Sequence, residues 1–178
     1  MVRETGQGRE LAFLRWGLIP SWAKEASIGM KLINARGETL ADKPAFQSAY
    51  RQRRCLVPAD AFYEWKAVGG RKQPYCIRMR DGGPFGMAGL WEHWKDANGQ
   101  TVESCTIVTV DANALIAQLH ERMPLIVAPD EYDAWLRAES AELPHAVAAE
   151  AMRYHPVSTL VSNARNDVPA CLDPIDEA

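Results

Sequence analysis

Three short segments of this 178-residue chain set ionisable groups directly against apolar runs, which is the arrangement that proton transfer and anion binding need. In residues 31–39, Asn34, Arg36 and Glu38 follow the apolar pair Leu32 and Ile33. The apolar pair is expected to enter a core, and the amide, guanidinium and carboxylate after it to line a cleft. In residues 61–66, Glu64 is flanked by Phe62, Tyr63 and Trp65. A carboxylate among aromatic rings is partly desolvated, which disfavours its ionised form and moves its pKa toward neutrality. Strand alternation offers the other outcome, with Glu64 on a solvent face opposite Tyr63 and Trp65. In residues 119–127, His120 and Arg122 interrupt an apolar pattern. Histidine gives and accepts protons near neutral pH, so the two read as an acid/base group with an anion-binding neighbour, or else as a structural helix end. The three segments are expected to converge on one site.

The elements that must carry these groups follow from periodicity and breakers. Residues 11–16 read as a strand closed by Gly17, and Pro20 makes residues 18–24 a loop that presents Trp22. Trp16 and Trp22 suit either the core or a contact surface. A helix is expected over 43–52, capped by Asp42, with Phe46 and Tyr50 on its buried face. Arg51, Arg53 and Arg54 then form the densest positive charge in the chain, either a solvated helix end or a phosphate-binding rim. From 60 to 110, short β-type runs alternate with glycine turns, which predicts an antiparallel meander or a barrel-like sheet. A short helix is expected over 111–119, a strand at 125–127, two surface helices over 129–137 and 144–153, a last strand at 154–158 and a frayed acidic end over 173–178.

Composition bounds the function. With 47% hydrophobic residues and a net charge of -3, the chain can bury a substantial core and is not a wholesale basic nucleic-acid binder, although a local cationic patch remains open. The four cysteines, Cys55, Cys76, Cys105 and Cys171, have neither metal-ligand nor disulfide-framework spacing. A reducing, cytoplasmic setting is expected. No signal-peptide core and no membrane-length apolar run is present in the sequence.

Five motifs in order then carry a resemblance: Trp16-Gly17-Leu18-Ile19-Pro20-Ser21-Trp22, Ile33-Asn34-Ala35-Arg36-Gly37-Glu38-Thr39, residues 54–65 ending in Phe62-Tyr63-Glu64-Trp65, His120-Glu121-Arg122-Met123-Pro124, and His155-Pro156-Val157-Ser158. The chain resembles the SRAP family, the SOS-response-associated peptidases, whose members act as abasic-site processing proteins. The resemblance implies an α+β fold, mainly antiparallel and barrel-like with short flanking helices, and one SRAP domain over 1–178. It implies single-stranded DNA with abasic sites as the partner of a monomer, no cofactor, no metal and no membrane, and a cytoplasmic, nucleoid-associated location. The implied chemistry is a Schiff base between a terminal cysteine's α-amine and the ring-opened sugar, closed to a thiazolidine by the thiol, with associated lyase and thiol autopeptidase activity. Asn34 matches the residue that positions cysteine and sugar, Glu64 the proton-moving carboxylate, and His120 the group that protonates the departing sugar oxygen. Arg36 and Arg122 match phosphate-gripping arginines, Trp22 an aromatic that meets bases, and Thr109 a backbone contact. Arg53 and Arg54 join this DNA-binding set from the arginine cluster.

One departure stands out. Family members open with Met-Cys-Gly-Arg, whereas this sequence begins Met1-Val2-Arg3-Glu4 and holds no cysteine before Cys55. The expectation is a late start, or a truncated or diverged member, with the segment that carries the catalytic cysteine lacking. A noncovalent single-strand binding module is the competing function, and a thiol peptidase a third.

Overall fold

The computed structural model describes residues 1–176, so the last two residues of the end expected to fray lie outside the described residues. Two compact units make up the fold. The first combines Met1–Pro58, Gly86–Val110 and Pro124–Val147, and the second combines Ala59–Phe85, Asp111–Met123 and the chain from Ala148 onward.

The strands in chain order are β1 (Val2–Thr5), β2 (Gly8–Leu11), β3 (Arg15–Trp16), β4 (Asn34–Arg36), β5 (Arg54–Ala59), β6 (Phe62–Val68), β7 (Arg71–Met79), β8 (Phe85–Lys95), β9 (Thr101–Asp111), β10 (Arg122–Pro124), β11 (Ile126–Val127) and β12 (Met152–Pro156). Two short helices, α1 (Gln47–Gln52) and α2 (Tyr132–Leu136), accompany them. One sheet runs in the order β10-β9-β8-β5-β1-β2, and β3 and β4 both pair with β9 in parallel. The other runs β12-β7-β6, antiparallel throughout.

This arrangement is α+β with a mixed sheet and short helices; its strand pairs are mainly antiparallel, and it corrects the barrel-like expectation. A barrel needs its first and last strands to pair. Here both sheets are open paths with two ends. The glycine turns between 60 and 110 form as turns: Gly69-Gly70 closes the β6–β7 hairpin and residues 96–99 close β8–β9, but the turn at 81–83 carries the chain from one sheet to the other. The β6–β7 hairpin takes β12 as its third strand, while β8 and β9 build the other sheet.

Helical expectations shrink for local reasons. Residues 43–46 form turns, and α1 begins only after Phe46, with no side-chain cap from Asp42. Over 111–119 the helix reduces to one tight turn at Ile116–Gln118, because the Asn113 side chain accepts the Leu115 and Ile116 N–H groups. The surface helix expected over 129–137 is a tight turn, Pro129–Glu131, leading into α2, and that over 144–153 is only the turn Ala149–Ala151. No helix among the described residues is long and apolar enough to cross a membrane.

The first unit's core gathers Leu18, Leu40, Phe46, Tyr50, Leu56, Leu90, Val108, Leu125 and Trp135. Gly17 and Gly29 bring two backbone segments of this unit close together. A Cβ on Gly17 would lie 2.6 Å from the Gly29 carbonyl oxygen, and Gly17 has φ +107°. The same bend sends the Gly17 N–H to the Cys105 carbonyl and the Leu18 N–H to Leu32, which sets where Trp16 and the strand into Asn34 begin. Gly17→Ala is expected to lower stability by roughly 1–3 kcal/mol, from overpacking and an unfavourable φ together. Urea unfolding of the two proteins measures it, and an unchanged midpoint would contradict the packing described.

Candidate nucleic-acid interface and proton-transfer pair

In the first unit, β4 lies beside β9 with Asn34 opposite Ile107, Ala35 opposite Val108 and Arg36 opposite Thr109. Alternation buries Ala35 at 1% exposure and leaves Asn34 and Arg36 exposed on the other side. Ala35, rather than Ile33, is the residue that anchors this stretch, since Ile33 is itself exposed and its carbonyl accepts the Trp16 indole N–H at 2.8 Å. Thr109 is half-buried.

Trp22 stands 60% exposed on the Pro20 loop, with its indole N–H directed at the Pro44 carbonyl at 3.4 Å. Grooves flank it on two sides. One is lined by Lys24, Glu25, Met30 and Lys31, the other by Pro44, Gln47, Ser48 and Arg51. An exposed ring with cationic side chains around it suits stacking of a base and contact with its phosphates. Lys24, Lys31 and Arg51 add to the sequence-derived set. The first two are single lysines in unremarkable loop sequence, and only the fold gathers them.

Arg53 and Arg54 are corrections. Arg54 is only 4% exposed, its guanidinium lying over the Tyr50 and Trp135 rings at 4.3 and 4.6 Å. It donates to the Tyr50 and Ser140 carbonyls, both at 2.8 Å. Arg53 donates to Glu92 and Ser48, both at 2.8 Å, and Glu92 is itself buried. These partners draw both guanidiniums inward, so they brace α1 and β5 and form no phosphate rim. Of the three arginines in the cluster, Arg51 is the one that lines a groove beside Trp22.

In the second unit, β6 and β7 pair Tyr63 with Cys76 and Glu64 with Tyr75, and β12 pairs Tyr154 with Ile77 and His155 with Cys76. One face of this sheet therefore carries Tyr63, Trp65, Cys76 and His155. The opposite face carries Phe62, Glu64, Tyr75, Ile77 and Tyr154. Glu64 does point away from Tyr63 and Trp65, yet it is half-buried there and does not stand on an open solvent face. The segment 111–123 lies across its side of the sheet, held by the Asn113 amide on the Met152 sulfur at 3.4 Å and by the Tyr154 O–H on Gln118 Oε1 at 3.0 Å. That segment brings His120 close enough to act on Glu64. Burial raises the Glu64 pKa, and the charge of His120 pulls it back down.

His120 Nδ1 lies 3.1 Å from the Arg122 amide N. When Nδ1 accepts that N–H, the neutral ring carries its proton on Nε2. Arg122 donates to Asp111 at 2.6 Å, within the same segment. Among the described residues, no cluster of His, Cys, Asp and Glu is placed to hold a metal ion.

The model of the SOS response associated peptidase (SRAP) family matches residues 1–164. The chain belongs to the SRAP family. This SRAP chain is 40% identical over 177 residues to the abasic site processing protein YoaM of Bacillus subtilis, covering 94% of this chain and 77% of that protein. It is 38% identical over 175 residues to the abasic site processing protein YoqW of Bacillus phage SPbeta, covering 94% and 78%. A crystal structure of a protein from Bacteroides thetaiotaomicron superposes on the SRAP chain with a TM-score of 0.83 and 28% identity, covering 98% of this chain and 80% of that one.

The raised pKa of Glu64 has a consequence for the stability of this SRAP protein. Below the ordinary carboxylate pKa of about 4.3 the carboxyl is protonated in both folded and unfolded chains, so its contribution to stability is complete. As pH rises from there through the raised folded value, the unfolded chain ionises first and stability is lost. Glu64→Gln lacks that loss. Urea midpoints measured from about pH 4 to 8 are expected to separate progressively in favour of Glu64→Gln; a constant gap would mean that Glu64 is not desolvated as described.

Proposed function

We propose that this SRAP protein binds single-stranded DNA through its first unit and processes abasic sites with the proton-transfer groups of its second. The observation that carries this reading is a half-buried Glu64 on β6 close enough to His120 for the imidazole's charge to act on it, the two being the residues that the family resemblance assigns as the acid/base pair. An abasic sugar opens to an aldehyde, and both its ring opening and the departure of its oxygen substituents require protons to move. A carboxyl whose pKa is raised toward neutrality exchanges protons readily at working pH, and an imidazole beside it does the same. Asn34 serves to position the sugar. Arg36 and Arg122 hold phosphates, Thr109 offers its backbone, and Trp22 with Lys24, Lys31 and Arg51 receives the flanking strand.

Covalent capture as a thiazolidine needs an amine and a thiol on the same terminal cysteine. Cys55, Cys76, Cys105 and Cys171 are internal and all buried, and burial raises the thiol pKa of Cys55, Cys76 and Cys105. Thiolate is the nucleophile, so these four are poor candidates for capture or for peptide cleavage. In this reading capture belongs to a terminal cysteine, and the residues described here bind the strand and move protons. The exposed Trp22 and its cationic surround favour one alternative, a noncovalent single-strand module with no lesion chemistry.

Abasic and undamaged oligonucleotides separate the two. Processing of the abasic strand is expected to fall about 100-fold or more in His120→Ala and in Glu64→Gln, with affinity for undamaged strand retained. Trp22→Ala is expected to weaken binding by roughly 1–3 kcal/mol, and Arg36→Ala to reduce the salt dependence by about one phosphate contact. Binding that ignores the lesion, together with processing unaltered in both the His120 and Glu64 variants, would leave the noncovalent module as the function.

A further inference from the structure

We propose that Gln118 and Tyr154 are a positioning pair that fixes His120 over Glu64. The inference rests on the reading of Glu64 and His120 as the proton-transfer pair, and it identifies what holds them together. The connection is continuous. Glu64 lies opposite Tyr75 on neighbouring strands and shares its face of the sheet. The Tyr75 ring meets the Tyr154 ring edge-on, with centroids 5.4 Å apart and planes at 83°. The Tyr154 O–H donates to Gln118 Oε1 at 3.0 Å, and Gln118 ends the tight turn Ile116–Gln118. From that turn the chain reaches His120 in two residues, and the His120 N–H donates to the Ile116 carbonyl at 2.9 Å.

The turn is fastened at its other end by Asn113. Its side-chain oxygen accepts from the Leu115 and Ile116 N–H groups while its amide sits on the Met152 sulfur. That fastener ties the start of the turn to the sheet, and the Ala112 N–H on the Glu121 carbonyl at 3.0 Å closes the loop behind His120. Tyr154 adds a second tie between loop and sheet, two residues before His120. Gln118 is exposed, and its own turn needs nothing from Tyr154 to form. The bond between them therefore orients His120 and contributes little to the fold. Proton transfer tolerates little misplacement of its groups, so this orientation is where the pair acts on chemistry.

The test reads the Glu64–His120 interaction directly, without activity. The Glu64 carboxyl titration is followed by carboxyl carbon NMR in the full chain, with and without His120→Ala, in three backgrounds: wild type, Tyr154→Phe and Gln118→Ala. Tyr154→Phe removes only the hydroxyl and keeps the ring against Tyr75. In the wild-type background, losing the His120 charge that pulls the Glu64 midpoint down is expected to raise that midpoint by about half a pH unit or more. In Tyr154→Phe and in Gln118→Ala, the same His120→Ala change is expected to move it by less than half as much. Combining the two background substitutions is expected to add nothing, because both break one bond. An equal displacement in all backgrounds overturns the positioning pair while leaving Glu64 and His120 coupled. No displacement even in the wild-type background overturns the coupling itself, and the positioning pair with it.

Discussion

A side chain on an extended strand has two directions open to it, and nearly every candidate residue in this protein owes its role to which one it takes. On β4 the alternation is Asn34 out, Ala35 in, Arg36 out, and the parallel pairing with β9 holds it in place. On β6 it is Phe62 and Glu64 to one side, Tyr63 and Trp65 to the other. A slip of one residue in either register would bury Arg36 or turn Glu64 to the face of Cys76 and His155. In the first unit, register is secured by the depth of the core beneath Ala35 and Val108. In the second it is secured by seven successive pairs between β6 and β7.

Charge is divided between the units by the same packing logic. In the first unit, the guanidiniums that enter the interior find partners there: Arg54 between two aromatic rings and two carbonyls, Arg53 on the buried Glu92. Arginine suits the first of these because its planar, weakly hydrated cation stacks on ring faces and donates in several directions. Arg36, Lys24, Lys31 and Arg51 stay outside, where a strand's phosphates would meet them. In the second unit the important charge is partly buried and unstable as an ion. Desolvation acts on Glu64 more strongly than the nearby imidazole relieves it.

Much of this was legible in the chain, and the rest was not for physical reasons. Strand positions between 60 and 110 follow from alternation and from glycine turns, which are local signals. Which strands share a sheet is a non-local fact, since β12 comes from the far end of the sequence to join β7, and β3 and β4 come from the near end to flank β9. No local pattern distinguishes that from a closed meander. The arginine cluster misled for a related reason: Arg53 and Arg54 look like surface charge until the 140s loop and Glu92 are seen to meet them. Asn34, Arg36, Glu64 and His120 are marked twice in the sequence, as polar groups set against apolar runs and as members of family motifs. Gln118 and Tyr154 carry no such mark, because a single hydrogen bond between residues 36 apart in sequence leaves no trace in either neighbourhood.

The covered face around Glu64 also explains why a carboxylate flanked by rings need not be buried among those same rings. Tyr63 and Trp65, its sequence neighbours, lie on the other side of the sheet, where the Trp65 N–H reaches Ser162 and His155 meets the Leu172 carbonyl. On Glu64's own side of the sheet lie Tyr75 from the same hairpin and Tyr154 with the 111–123 segment, which are distant in sequence. That makes the Glu64 environment depend on how closely the segment sits on the sheet. A segment lifted by an ångström or two would admit water, lower the desolvation and remove the imidazole at the same time, so the two opposing influences on this carboxyl would weaken together. The acid/base character of the site is in that sense a property of a docking geometry, and a residue that touches neither reacting group can govern it.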